Sequence, residues 1–127
     1  MGERPSPQYE LELVQLATAI RVNERPAMFE VRKHFESLRK PMSPQRAKDY
    51  VISMLVHLQP NELVETKTLP DDFEGHVLAD IYGVRNEAGD WYLKFYALNG
   101  QFFVSSCHPP SGPLRRVDGL VIGRRRR

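Results

Sequence analysis

The sequence predicts an α+β domain in which N-terminal helices pack on one face of a C-terminal antiparallel β-sheet. Three observations predict it. Apolar residues recur at spacings of three and four through the first half of the chain. The period then changes to two. The strand-like segments of the second half are separated by short turn signals, one around Gly89 and one at Asn99-Gly100, a dipeptide favoured in type I′ hairpins. At 127 residues the chain has room for one hydrophobic core and not for two.

In the helical half, residues 8–21 place Leu13, Leu16, Ala17 and Ile20 on one stripe, with Glu10 and Glu12 near the positive N-terminal end. Asn23 can cap a second helix in which Ala27, Met28, Val31, Phe35 and Leu38 repeat the spacing, and Pro41 ends it. Ser43 followed by Pro44 predicts an N-cap with proline in the first helical position. Ala47, Tyr50, Val51, Met54, Leu55 and Leu58 supply the buried stripe of that third helix before Pro60.

Residues 63–68 form a weaker strand candidate. Residues 76–85 alternate Val77, Ala79 and Ile81 with Leu78, Asp80 and Tyr82. A turn over 86–90 leads into the aromatic-rich segment 91–98, and 101–107 returns antiparallel. Residues 1–108 are thus expected to be the folded domain. Residues 109–127, rich in Pro, Gly and Arg, are expected to be a flexible C-terminal segment.

The net charge of +2 conceals an asymmetry. Residues 1–107 carry 12 Lys and Arg against 15 Asp and Glu, whereas the last 20 residues hold six Arg and one Asp. A run ending in Arg124, Arg125, Arg126 and Arg127 repels itself and attracts polyanions, or is simply a solvated tail. Apolar stretches fall far short of the roughly 20 residues of a bilayer helix, so no membrane span is expected. The N-terminal segment lacks the apolar h-region of a signal peptide, and the single Cys107 cannot form an internal disulfide, which predicts a reduced, cytoplasmic protein. One Cys and four scattered His give no metal-ligand spacing, and no phosphate-binding glycine motif or nucleophile elbow is present. No metal and no cofactor are expected.

Candidate chemistry gathers on the predicted sheet. On the segment 91–98, Trp91, Leu93, Phe95 and Ala97 point to one side as core, and Tyr92, Lys94, Tyr96 and Leu98 to the other. Asp80 and Tyr82 join the second set if the neighbouring strand pairs in simple register. Such a face is a polyanion or catalytic surface, or else an ordinary solvent-facing sheet held by pairs of about 0.2–1 kcal/mol each. His108 follows the last strand and precedes Pro109-Pro110, which fix the exit. With Lys94 and Tyr92 it provides the groups for general acid-base cleavage of a ribose-phosphate bond, the cations stabilising the phosphorane. His76 is a second candidate. His34 and His57 fall in predicted helices and read as structural. Cys107 and His108, being adjacent on a strand, point to opposite faces, which argues against a cysteine nucleophile.

Taken in order, these segments resemble the MqsR family, the motility quorum-sensing regulator toxins, ribosome-independent mRNA interferases of type II toxin-antitoxin systems with a RelE-like fold. The residues that carry the likeness are Val51-Ile52-Ser53-Met54-Leu55-Val56-His57-Leu58, the segment 63–68, Asp80-Ile81-Tyr82, Tyr92-Leu93-Lys94-Phe95 and Phe103-Val104-Ser105, covering roughly residues 9–108. The resemblance implies that Tyr92 stands at the family's active-site tyrosine. The family's lysine position falls at Glu65, with Lys67 two residues later on the same strand face. The family's glutamine is replaced by Ala79, and the lysine near the end of the final strand by Cys107 or His108.

The leading expectation is therefore a metal-independent endoribonuclease toxin that cleaves mRNA by general acid-base catalysis. Its catalytic candidates are Lys67, Tyr92, Lys94 and His108, and its RNA-binding candidates are Tyr82, Tyr96, Arg115, Arg116, Arg124 and Arg125. The implied partners are RNA and a cognate antitoxin protein. The alternative is a non-catalytic module that binds protein or nucleic acid through the sheet face and basic tail. A third possibility reads residues 43–58 as a helix-turn-helix element presenting Gln45, Arg46 and Lys48 to DNA, although the wide apolar stripe is better explained as core.

Overall fold

A computed structural model describes residues 20–22, 26–68, 78–98 and 101–123. The order is strand β1 (Ile20–Val22), helix α1 (Pro26–Ser37), helix α2 (Pro44–Val56), a single 3-10 turn (Pro60–Glu62), strands β2 (Leu63–Thr68), β3 (Leu78–Asn86), β4 (Gly89–Leu98) and β5 (Gln101–His108), and a small hairpin of β6 (Leu114–Arg115) and β7 (Val121–Ile122). The predicted α+β arrangement is therefore the observed one. The main sheet runs β1-β5-β4-β3-β2, with β1 parallel to β5 and all other neighbours antiparallel.

Local chemistry sets the helix ends. Helix α1 buries Ala27, Val31 and Phe35, one residue per turn on a single stripe. It closes with the Arg39 amide on the Glu36 carbonyl and the Lys40 amide on the Phe35 carbonyl, the two bonds of a Schellman cap. That cap places Arg39 at φ 63°, in the left-handed region usually left to glycine. Helix α2 starts as predicted: the Ser43 hydroxyl accepts from the Arg46 amide at 3.2 Å and Pro44 takes the first turn. Its buried residues Ala47, Val51, Met54 and Leu55 face the sheet, so the apolar stripe is core, and Gln45, Arg46 and Lys48 are exposed.

Both helices cover one face of the sheet, where Tyr82, Val84, Trp91, Leu93, Phe95, Val104 and Cys107 complete the core. Trp91 is its centre, fully buried and in ring contact with His34, Phe35 and Tyr50. Its indole N–H donates to Asn86 Oδ1, whose amide nitrogen donates to the Tyr50 hydroxyl, so the polar atoms carried inward are partnered.

Three expectations are corrected. The first concerns the helix predicted over 8–21. Residues 1–19 lie outside the described residues, but Ile20–Val22 is a strand that gains ladder bonds to Phe102, Phe103 and Val104, a pairing that helical spacing alone does not reveal.

The second concerns Asp80 and Tyr82. The two-residue turn Glu87-Ala88 pairs Asn86 with Gly89, so every even residue of β4 lies opposite an odd residue of β3. Asp80 and Tyr82 therefore join Phe95 and Leu93 on the helix side. Tyr82 is fully buried and stacks on Phe95, and Asp80 accepts from the Thr66 hydroxyl at 2.9 Å.

The third concerns residues 109–123, which are built into the fold rather than loose. Their hairpin lies over the outer face of the sheet, with Ile122 fully buried against Gly83. The Val117 amide donates to the Leu63 carbonyl and the Gly123 amide to Asp90 Oδ2, both at 2.7 Å. Gly83 allows this contact: a Cβ there would stand 2.9 Å from Ile122 Cδ1. Among the described residues no helix is long and apolar enough to cross a membrane.

Candidate functional site

The outer face of the sheet carries the polar chemistry, arranged by strand register in three rows. The first runs Gly83, Tyr92, His108; the second Glu65, Ile81, Lys94, Ser106; the third Lys67, Ala79, Tyr96, Phe103. Neighbours within a row are about 5 Å apart and successive rows about 7 Å. Two irregularities adjust the pattern. A bulge between Leu63 and Glu65 turns Glu65 outward while Leu63 stays in the core, and a second bulge on β5 sets Ser105 between the rows, its hydroxyl on the Lys94 carbonyl at 3.4 Å. The hairpin closes the Gly83 end of the face.

In the first row Tyr92 and His108 stack, with centroids 4.9 Å apart and planes inclined by 14°. The His108 Nδ1 lies 2.7 Å from the Pro109 carbonyl oxygen. A carbonyl only accepts, so Nδ1 carries the proton in the neutral ring and Nε2 is left as the basic nitrogen. The rigid Pro109 thus fixes the tautomer as well as the chain exit. Tyr92 is half-buried. That burial, with a smaller contribution from the Glu65 carboxylate, raises its hydroxyl above the ordinary phenol value, so it stays protonated and is a donor at neutral pH. Lys94 occupies the adjacent row, and Lys67 lies at the sheet edge, one row further.

The structure thus brings together three of the four catalytic candidates, Tyr92, Lys94 and His108, and sets Lys67 apart from them on the same face. Tyr96 shares the face and stacks on Phe103 at 5.3 Å. The remaining RNA-binding candidates fare differently. Tyr82 is corrected: it is buried in the core beneath the helices and presents nothing to a ligand. Arg116 is also corrected. It is largely buried under the hairpin, pairs with Asp118 at 2.7 Å and directs Nη1 to the Gly83 carbonyl at 3.5 Å, so its charge is spent holding the hairpin. Arg115 is exposed on β6, with Nη1 3.5 Å from the Gly119 carbonyl. Arg124, Arg125 and His76 lie outside the described residues.

His34 and His57 have structural bonds, His34 Nε2 to the Ala88 carbonyl at 2.7 Å and His57 Nδ1 to the Ser53 carbonyl at 2.8 Å. Cys107 faces the core, opposite in direction to His108, and burial pushes its thiol up to about 12, which removes it as a nucleophile. Among the described residues no cluster of three or more His, Cys, Asp or Glu could hold a metal ion.

Two residues of the face escaped the sequence reading. Glu65 entered only as a departure from a family pattern, although its alternation with Lys67 on a predicted strand is the signal that places both on one face. Phe103 was read only as part of the last strand. Its pairing with Tyr96 depends on the β5 bulge, which nothing in the local sequence announces.

Comparison of the chain with protein-family models, with curated proteins and with solved structures found no match. The likeness to the toxin family therefore rests on the sequence pattern alone.

Proposed function

We propose that the protein is a metal-independent endoribonuclease whose site is the Tyr92, Lys94 and His108 cluster on the outer sheet face. The observation that carries the reading is the stacked Tyr92 and His108 pair, because it sets a phenol donor beside an imidazole whose Nδ1 is engaged by the Pro109 carbonyl. In the reaction His108 Nε2 takes the proton of the ribose 2′-hydroxyl. The 2′-oxygen attacks the adjacent phosphorus, and the bond to the 5′-oxygen breaks as the Tyr92 hydroxyl supplies that oxygen with a proton. Lys94 stabilises the charge that develops on the phosphorane. The products are a 2′,3′-cyclic phosphate and a free 5′-hydroxyl. Proton return from the imidazolium to the phenolate, directly or through water, restores both groups.

The resemblance at residues 9–108 extends this proposal to a type II toxin acting on mRNA in the cytoplasm and restrained by a cognate antitoxin. The Gly123 amide is held on Asp90, two residues along β4 from Tyr92, and the Arg124, Arg125, Arg126, Arg127 run that follows in the sequence supplies positive charge for RNA capture.

The test is incubation with a labelled RNA in EDTA beside the same strand carrying 2′-deoxyribose throughout. The expected result is cleavage of the RNA to cyclic-phosphate ends with the deoxy strand intact. Intact RNA at high protein excess would overturn the catalytic reading in favour of a binding module, and cleavage of the deoxy strand would overturn the mechanism.

A further inference from the structure

Strand β2 borders the main sheet: β3 lies on one side of it, and among the described residues no strand lies on the other. In an antiparallel ladder alternate residues turn their amides and carbonyls to opposite sides, so a border strand offers donors and acceptors to whatever adds to it. At the start of β2 that side is already taken. The Leu63 carbonyl accepts the Val117 amide at 2.7 Å, so the C-terminal hairpin occupies the place of a neighbouring strand opposite Leu63. The stretch that remains runs over 64–68, and its midpoint is Thr66. Its side chains are not those of a guarded edge. Sheet borders are commonly blunted by unmatched lysines, by proline or by a bulge. Residues 63–68 contain no proline, and the bulge sits at the end closed by the hairpin. The one lysine, Lys67, is matched by Glu65 on the same outer face; both are exposed, and neither has an ion-pair partner among the described residues. Val64, Thr66 and Thr68 are β-branched and suit a paired strand.

We infer that β2 is the interface for a second copy of this chain, which joins it edge to edge and antiparallel about a two-fold axis at Thr66. Such an axis stands perpendicular to the sheet, so opposing residues share a face and the residue on the axis meets itself. Charge and length select the same register independently. An axis at Glu65 sets two carboxylates opposite each other, and one at Lys67 sets two ammonium groups opposite each other, both unfavourable. An axis at Thr66 sets Glu65 opposite the partner's Lys67 and Lys67 opposite the partner's Glu65, giving two cross-strand ion pairs. An axis at Glu65 would also drive the partner's Lys67 into the place of Val117 opposite Leu63, whereas an axis at Thr66 pairs the whole of 64–68 in both copies and stops at each hairpin. The two five-stranded sheets become one of ten, with both outer faces on the same side. A single strand pair is a small interface, so the dimer forms with rising concentration and weakens with salt. Nothing in this pairing requires the RNA reading.

The experiment is sedimentation velocity of the full chain at rising concentration in low salt, for the wild type, Glu65→Lys, Lys67→Glu and the double variant that carries both changes. The wild type should pass from monomer to dimer. Glu65→Lys sets like positive charges against each other across the axis and Lys67→Glu like negative ones, so each alone should weaken self-association about tenfold or more. An equimolar mixture of the two single variants should dimerise again, because every contact between positions 65 and 67 in the mixed dimer joins opposite charges. The double variant, with the charges exchanged, should self-associate as the wild type does. These two recoveries separate a lost interface from a lost fold. A wild type that stays monomeric up to its solubility limit would overturn the inference. So would a dimer that both single variants leave unchanged, or a mixture that fails to recover it.

Discussion

The role proposed for His108 depends on the residue after it. The Pro109 carbonyl holds Nδ1, which leaves Nε2 for proton exchange, and the Tyr92 ring beside it holds the plane of the imidazole. Cys107, one residue earlier, meets the opposite environment, and the two neighbours differ because a strand alternates its faces. The buried thiol gives a prediction of its own. Its value is raised from 9.0 to about 12, so the folded state holds the proton after the unfolded chain has lost it. The stabilisation is whole below about 9 and is lost as pH rises toward 12. The stability difference between wild type and Cys107→Ala in urea titrations should therefore shrink above pH 9, and a thiol reagent should label Cys107 only in denaturant. Equal labelling of the native protein would contradict the burial. At this scale the sequence was informative: alternation identified Trp91, Leu93 and Phe95 as core and Tyr92 and Lys94 as surface.

Elements were legible where a local signal exists and illegible where pairing decides. Helix α2 has a cap, a proline and a stripe within its own sequence, and the structure follows them. Strand β1 has no such signal, because three residues become a strand only by lying along β5. The faces of β3 depend on the length of one turn, which a single-residue difference would invert, and this is why Asp80 and Tyr82 were misplaced. The C-terminal hairpin is the clearest case. Its Pro, Gly and Arg content suggests a loose tail, but Ile122, the Asp90 bond and the Arg116 pair anchor it to the sheet.

Replacing Gly83 by Val should drive Ile122 from its seat, cost about 1–3 kcal/mol in urea denaturation and open the hairpin to protease. An unchanged cleavage pattern would count against the contact. Acid should act on the same element. The Arg85 guanidinium and the Gly123 amide hold the Asp90 carboxylate below its usual range. That contribution is present above the ordinary carboxylate value and is lost as pH falls through the folded one. Protection of the Gly123 amide from hydrogen exchange should accordingly decrease below about pH 4, and in Asp90→Asn it should already be reduced at neutral pH.

For the whole molecule the division of labour is between two sheet faces. The helix side is aromatic and aliphatic core, and the outer side carries stacked rings and lysines, closed at one end by the hairpin that leads into four arginines. For a body of net negative charge to bind RNA as proposed, its cations must be gathered on one face and supplemented from the chain end. Deleting Arg124, Arg125, Arg126 and Arg127 should flatten the dependence of log affinity on log salt for a single-stranded RNA by about 0.7 for each phosphate contact removed. An identical slope would exclude the tail from binding. The site as a whole was only partly legible: alternation places Tyr92 with Lys94 and Glu65 with Lys67, and the strand-end position singles out His108, but only the pairing of four strands sets these on one surface and adds Phe103.

The central claim is that Tyr92 and His108 exchange protons with RNA. The most direct measurement is the single-turnover rate of cleavage of a labelled RNA in EDTA by wild type, Tyr92→Phe and His108→Ala. Tyr92→Phe keeps the stacked ring and removes only the hydroxyl, so its fold should be intact while its rate drops about 10²–10⁴-fold, with a similar drop for His108→Ala. Cleavage at the wild-type rate by either folded variant would contradict the account.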